Sequence, residues 1–461
     1  MIPDTFYSRL KPLLDQFKQS FDGDTPYHFS EWDKLSDKDL EPHLERLMER
    51  LAGHYPFHQP FYAGQMIKPP HPAAWLAYAL SMTINPNNHA LDGGPEASRM
   101  EKEVLEQLKS FTGLPNDALG HLTSSGTIAN LEALWVAREL HPERPVAVSK
   151  QAHYTHRRMC QILRHPVMEI PPGDDGYPDP EKLEQNEVLP GTLVVTLGTT
   201  GLGRVEPLHH IMEWANRNQV RVHVDAAYGG FFHLLRNSGI LDPEPWRALE
   251  DADSIVIDPH KHGLQPYGCG SVLFRDPSVG SFYKHDSPYT YFSSEELHLG
   301  EISLECSRAG SAAVALWFTL QLLPLTKSNE KNEGLAGMLL DCLLAARRFY
   351  ELLFHSRTFQ PVLSPELDIV AFFPLTDDAT YSGVTQHSKA ILKAGMEVDA
   401  TNCLYLSTLE LTREEAERWM PDLVPDQDKL TVLRTVLMKP EHYDFVPEMM
   451  RRLDYLHNWT R

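Results

Sequence analysis

Lys261 stands where an apolar run turns polar, in Ser254-Ile255-Val256-Ile257-Asp258-Pro259-His260-Lys261-His262-Gly263. Most lysines are solvated surface charges. A lysine at a strand end, between two histidines and partly withdrawn from water, is suited to covalent chemistry, because its amine can form a Schiff base. A second stretch, Val222-His223-Val224-Asp225-Ala226-Ala227-Tyr228-Gly229-Gly230, places a carboxylate where alternating valines stop. Asp225 there is either a helix cap or the partner of a metal or a protonated ring nitrogen. Ala226 and Ala227 leave room for a flat ring.

Three more stretches precede these. Thr123-Ser124-Ser125-Gly126-Thr127 opens the amphipathic run Ile128-Ala129-Asn130-Leu131, with Ile128, Leu131 and Trp135 spaced for a buried face. Hydroxyls, free backbone N–H groups and the positive helix end make a phosphate cradle there; an ordinary N-cap is the plainer alternative. His153 follows the Val146–Ser149 run. It can stack on a ring, or pair with His156 as metal ligands, although no third ligand is apparent. Thr196-Leu197-Gly198-Thr199-Thr200-Gly201 ends another apolar run, where α/β sheets place their ligands. An anion cradle, a stacking histidine, a carboxylate for a ring nitrogen and an amine are together what pyridoxal phosphate (PLP) requires.

These residues need a scaffold that brings strand ends together. From Gly120 onward, short apolar runs alternate with amphipathic helices. Strands are predicted at Val146–Ser149, Thr192–Leu197, Val220–Val224, Ser254–Ile257 and Gly270–Phe274. That alternation indicates an α/β layer with a mostly parallel sheet. Before it, Leu40, Leu44, Leu47 and Leu51 repeat at helical spacing, His54 to Pro72 is too rich in Pro and His for regular structure, and Pro95 to Phe111 reads as a helix. After Thr326, a polar patch and a long helix lead into a smaller α+β region. The expected divisions are an N-terminal helical segment (1–55), a large domain (56–326) and a small C-terminal domain (327–461).

The 461 residues suffice for more than one domain. A net charge of −21 argues against general nucleic-acid binding and against adhesion to anionic lipid. The five cysteines, Cys160, Cys269, Cys306, Cys342 and Cys403, form no zinc pattern and suit a reducing, cytoplasmic setting. Charges interrupt the first nineteen residues, so no signal peptide is expected, and no apolar run reaches membrane-spanning length.

With these motifs in this order, the sequence resembles the group II PLP-dependent decarboxylases, a family that includes aromatic-amino-acid, glutamate, histidine and archaeal tyrosine/aspartate decarboxylases. The His-Val-Asp-Ala-Ala-Tyr-Gly-Gly and Asp-Pro-His-Lys segments carry the resemblance, which runs from about Phe57 to the C-terminus. It implies PLP-dependent transferase fold type I, with a large mixed sheet and a small C-terminal α+β domain. It also implies roles. Lys261 would carry the cofactor, Asp225 would hold the pyridinium nitrogen, and Ala227 and His153 would flank the ring. Ser125, Gly126, Thr127 and His260 would hold the phosphate, with Thr200 near the ring hydroxyl. Arg434 would grip the substrate α-carboxylate, and Tyr62 and Gln65 would meet its side chain.

The segment Tyr283 to Gly310 resembles a family loop, with Tyr289 or Tyr291 as the residue that returns a proton to Cα. In the archaeal branch this region reaches a neighbouring subunit, which implies a homodimer with shared sites. The expected reaction is α-decarboxylation of an L-amino acid. Phe57, Phe61 and Tyr62 would suit an aromatic side chain; Lys68 and His71 would suit an acidic one. A carbon–carbon lyase of the sphingosine-phosphate-lyase type, an oxidative aldehyde-forming variant and a non-catalytic regulatory relative are the rival readings. An aminotransferase fits less well, since that class usually stacks an aromatic residue on the ring.

Overall fold

The computed structural model describes residues 3–20, 36–89, 91–284, 303–325 and 334–461. A seven-stranded sheet forms the centre of the molecule. Its strands are β1 (Leu119–Thr123), β2 (Val146–Ser149), β3 (Val167–Ile170), β4 (Thr192–Thr196), β5 (Arg221–Asp225), β6 (Ser254–Ile257) and β7 (Gly270–Phe274). Their spatial order is β1-β7-β6-β5-β4-β2-β3. Pairs from β6 through β3 are parallel, while β7 runs antiparallel to both β1 and β6. The sheet is therefore mixed and mostly parallel, as expected. Every residue of β2, β4, β6 and β7 is buried, which explains why they read as continuous apolar runs.

The helices before and within this layer are α1 (Asp4–Gln19), α2 (Asp37–Ala52), α3 (Pro72–Ser81), α4 (Pro95–Thr112), α5 (Gly126–Leu140), α6 (Thr155–Ile162), α7 (Leu208–Asn218), α8 (Glu244–Arg247) and α9 (Gly280–Tyr283). After it come α10 (Gly310–Leu322), α11 (Gly334–Phe354), α12 (Tyr381–Glu397), α13 (Arg413–Trp419) and α14 (His442–Thr460). A second, antiparallel sheet has the order β10-β11-β9-β8, from β8 (Phe359–Pro361), β9 (Ile369–Pro374), β10 (Ser407–Thr412) and β11 (Lys429–Val436). Helix α11 joins the two cores. Leu335, Leu339 and Leu343 pack into the large one, and Ala345, Ala346, Phe349 and Leu353 into the small one.

Several local expectations shift. The predicted strand Val220–Val224 is displaced by one residue, so Asp225 is its last member. Strands β1 and β3 did not stand out in the sequence. Helix α5 forms, but its buried face holds Ala129, Ala133, Leu134, Val136 and Ala137, while Ile128, Leu131 and Trp135 are half-buried. Small alanines let the helix lie close to the sheet, and the larger residues cover its flank. Helix α2 forms as the leucine spacing predicts, yet it buries none of its residues.

Candidate active site

The chemistry-bearing loops leave the carboxyl ends of β1, β2, β4, β5 and β6. The chain passes outward from β2 to β3, then returns to β4 on the other side of β2. That reversal opens a crevice at the carboxyl ends, where α/β sheets bind ligands. The cleft there has a volume of about 210 Å³ and is lined by Ser125, Gly126 and Thr127, by His153, and by Thr200, Asp225, Ala227, His260 and Lys261. Nine residues singled out in the sequence thus meet in one place.

The cradle begins at α5. Ser125 is its N-cap, with Oγ accepting from the Ile128 N–H at 3.3 Å. The first N–H groups of any helix lack intrahelical acceptors, so Gly126 and Thr127 present theirs to the cleft. A β-carbon at Gly126 would overlap the Asp258 carboxylate, and one at Gly270 would fall 2.6 Å from Thr123 Oγ1. Only glycine allows helix, strand and carboxylate to approach so closely. Glu305 accepts from the Ser124 N–H at 2.7 Å on the outer side.

Asp225 receives two hydrogen bonds. Its Oδ1 accepts from the Ala227 N–H at 3.1 Å and its Oδ2 from His156 Nε2 at 2.8 Å. Burial opposes its ionisation. The His156 hydrogen bond and charge, then Lys261, outweigh that and hold the carboxyl well below the usual range. His153 rests against Tyr154 with ring centres 4.5 Å apart, and its Nδ1 lies 2.8 Å from Thr155 Oγ1. Burial, the largest influence, lowers its pKa, with Asp225 opposing. The alternative of a His153–His156 metal pair has no support: among the described residues no group of three metal-ligating side chains occurs.

Lys261 was expected among cations. Its partner is a carboxylate of the same motif: Nζ lies 3.2 Å from Asp258 Oδ2, one helical turn back. His260 Nδ1 lies 2.7 Å from the Cys269 carbonyl oxygen, and its Nε2 is 3.5 Å from the same Asp258 oxygen. Asp258 was not singled out in the sequence, although its spacing from Lys261 was visible there. Nor was Asn130, whose amide donates to the Gly126 carbonyl at 2.8 Å and steadies the cradle.

The C-terminal sheet supplies Arg434, on β11. Its guanidinium is buried and donates to Thr200 O at 2.6 Å, Gly201 O at 3.0 Å, Ser407 Oγ at 3.1 Å and Gly64 O at 3.4 Å. These partners are all uncharged and use four of its five donors. Tyr62 does not line the cleft; it is 4% exposed, among Tyr55, Phe57 and Tyr405, with Lys439 Nζ 5.3 Å from its ring centre. Gln65 is exposed, next to Gly64. Tyr289 and Tyr291 lie outside the described residues. Arg308, in Ser307-Arg308-Ala309-Gly310, pairs with buried Glu101 at 2.6 Å and anchors its segment to α4.

PLP fits this cleft on chemical grounds. Asp258 and Thr196 line it, and Asp258 Oδ1 and Thr196 Oγ1 are buried with no partner among the described residues. Buried polar atoms are normally satisfied, so a polar occupant is called for. An amine, an anion cradle and an ionised carboxylate surround the same space.

The comparisons with known proteins agree. Residues 57–373 match the family model of the pyridoxal-dependent decarboxylase conserved domain. A probable L-tyrosine/L-aspartate decarboxylase of Methanothermobacter thermautotrophicus is 32% identical, over 67% of this chain and 82% of the relative. An L-2,4-diaminobutyrate decarboxylase of Rhizobium meliloti is 34% identical over 52% of each chain. In fold, the chain is similar to the TDC of Oryza sativa, solved with PLP and tryptamine, at a TM-score of 0.76, with 18% identity and coverage of 99% and 98%. The chain belongs to the group II pyridoxal-dependent decarboxylases, carboxy-lyases that act on amino acids with pyridoxal phosphate as cofactor.

Proposed function

We propose that this enzyme removes the α-carboxyl group of an aromatic or acidic L-amino acid, releasing the amine and CO2. One observation carries the assignment of roles: Lys261, Asp225, His153 and the Ser125–Thr127 cradle line one cleft, with Arg434 bonded to its wall at Thr200. Bound PLP supplies an electron sink for the pair freed as CO2 leaves. In this reading Lys261 would hold the cofactor covalently through its amine. Ser125, Gly126, Thr127 and His260 would hold its phosphate, and Thr200 would meet its ring hydroxyl.

Asp225 keeps the proton on the ring nitrogen, an electrostatic contribution made by a carboxylate already oriented by two donors. Ala227 and His153 bound the flat space between them. Arg434, a buried cation with no carboxylate among its hydrogen-bond partners and one donor to spare, receives the substrate carboxylate. Holding that group still is an orientation effect, which favours cleavage there over proton loss. Tyr289, Tyr291 or His153 returns a proton to Cα. Gln65, exposed beside Gly64, would meet the substrate side chain, with the buried Tyr62 supporting that segment rather than lining the cleft.

A homodimer with shared sites is part of the proposal. Leu44, Leu47, Met48 and Leu51 form an apolar stripe on α2 that the described residues leave exposed, and a second copy would cover it. So are the division at 1–55, 56–326 and 327–461 and a cytoplasmic setting. All five cysteines are free, which suits a reducing compartment. Among the described residues, no helix is long and apolar enough to cross a membrane.

The test is CO2 release by the PLP-loaded protein from L-tyrosine, L-tryptophan, L-aspartate and L-glutamate, with products identified by mass spectrometry. Equal CO2 and amine from one of them supports the proposal. CO2 with an aldehyde and ammonia replaces it with the oxidative reaction. Absence of CO2 from all four removes the aromatic-or-acidic assignment.

A further inference from the structure

We propose that His156 is a positioning residue, which fixes the orientation and charge of the Asp225 carboxylate through the bond from Nε2 to Oδ2. The inference rests on the proposed role of Asp225 at the cofactor's ring nitrogen. His156 lies on α6, one turn beyond His153, and is 0% exposed. It does not line the cleft; it stands behind Asp225, and it reaches from α6 to the last residue of β5.

Three observations separate this contact from ordinary packing. First, the two oxygens of Asp225 take donors from opposite sources. The Ala227 N–H holds Oδ1 and His156 holds Oδ2, so the carboxylate cannot rotate without breaking one of them. Second, Nδ1 of His156 is buried without a partner among the described residues. Nothing on that side fixes the tautomer, so the anionic oxygen alone keeps a proton on Nε2.

Third, the neighbouring histidine is committed elsewhere. His223 lies with its ring centre 6.3 Å from that of His156. Its Nε2 is 2.8 Å from Asn130 Oδ1 and its Nδ1 is 2.9 Å from Ser254 Oγ. Burial pushes His223 down to about 3, which keeps it neutral. His156 is therefore the side chain that meets Asp225 from behind, while Lys261 faces it across the cleft.

The consequence is chemical. A carboxylate bonded by His156 stays anionic in a buried site and points one way. Without that bond, Oδ2 loses its fixed donor, and a proton shared with the ring nitrogen moves toward the carboxylate. Both changes weaken the grip on the cofactor and the withdrawal of electrons from the reacting bond.

The experiment compares His156→Leu, which cannot donate, with His156→Gln, whose amide can donate from a similar reach, and uses Asp225→Asn as reference. The readouts are the dissociation constant of PLP from the full-length protein, the visible absorption of bound PLP, and the split between kcat and KM. For His156→Leu we expect PLP binding weakened roughly tenfold, an absorption change in the direction of Asp225→Asn, and kcat lowered roughly 10- to 100-fold with KM little changed. His156→Gln should recover most of each. If His156→Leu does not fold, His156→Met replaces it as the non-donor. Wild-type binding and absorption in the non-donor, or equal loss in donor and non-donor, overturns the proposal. If Asp225→Asn itself behaves as wild type, the Asp225 assignment fails first, and the two failures are told apart.

Discussion

Arg434 Nη2 donates to the main-chain oxygen of Thr200 at 2.6 Å, tying the C-terminal sheet to the loop that follows β4. Arg434 is fixed by carbonyls from two distant segments, Thr200–Gly201 and Gly64. Its position thus depends on the correct docking of the second sheet on the first. Guanidinium geometry is needed for this, because its planar fork reaches several acceptors at once.

Arg434→Lys should therefore act twice. A single ammonium cannot reach the Thr200, Gly201 and Gly64 carbonyls together, and leaving buried acceptors unmet costs about 1–3 kcal/mol each. We expect the melting temperature to fall by several degrees. We also expect KM for the amino acid to rise at least about tenfold, more than kcat falls, since carboxylate binding is affected first. Steady-state kinetics beside a thermal melt checks both; an unchanged KM would remove Arg434 from the carboxylate site.

Lys261→Ala should abolish turnover and the visible band of covalently bound cofactor. The cradle alone then holds PLP, so dialysis should strip it far faster than from the wild type. Absorbance before and after dialysis reads this directly. A variant that retains the band would show that another amine carries the cofactor.

Asp225→Asn leaves one oxygen where two accepted from different donors, the Ala227 N–H and His156 Nε2, and puts an NH2 against the other donor. We expect circular dichroism like the wild type and kcat lower by roughly 100-fold or more, the scale of losing a preorganised charge. Activity within a few-fold of wild type would exclude the ring-nitrogen role.

How much of this was legible in the sequence depends on the range of each contact. β2, β6 and β7 have the predicted bounds because each is an apolar run with polar ends. β1 escaped because it contains Gly120 and His121. The fold makes that histidine acceptable by bringing buried Glu132 to 2.7 Å, a pairing no local pattern reveals. Lys261, Asp225 and His153 were legible as motifs at strand ends. The Asp225–His156 bond was not, because α6 and β5 meet only through the order of the sheet. The leucine spacing of α2 announced a helix, but not that its apolar face would stay uncovered among the described residues.

Glu206 gives the last prediction, on pH. It is 2% exposed, with Oε1 accepting from Ser149 Oγ at 2.5 Å and Oε2 from the Thr196 N–H at 2.7 Å, between the carboxyl ends of β2 and β4. Burial pushes its carboxyl up to about 7 from 4.5; the bonds from Ser149 and Thr196 and the charge of Arg204 only partly offset this. Between about pH 4.5 and 7 the folded chain keeps a proton that the unfolded chain has lost, so raising the pH through that window destabilises the fold, and the effect levels off above 7. The full effect is on the order of 3 kcal/mol. Glu206→Gln removes the titration and keeps both contacts: its oxygen accepts from Thr196, and its amide donates to Ser149 Oγ. Urea unfolding at a series of pH values from about 5 to 8 should show the variant losing less stability than the wild type as the pH rises toward 7. Parallel curves for the two proteins would show that Glu206 is already ionised at the acid end of that series in the folded enzyme.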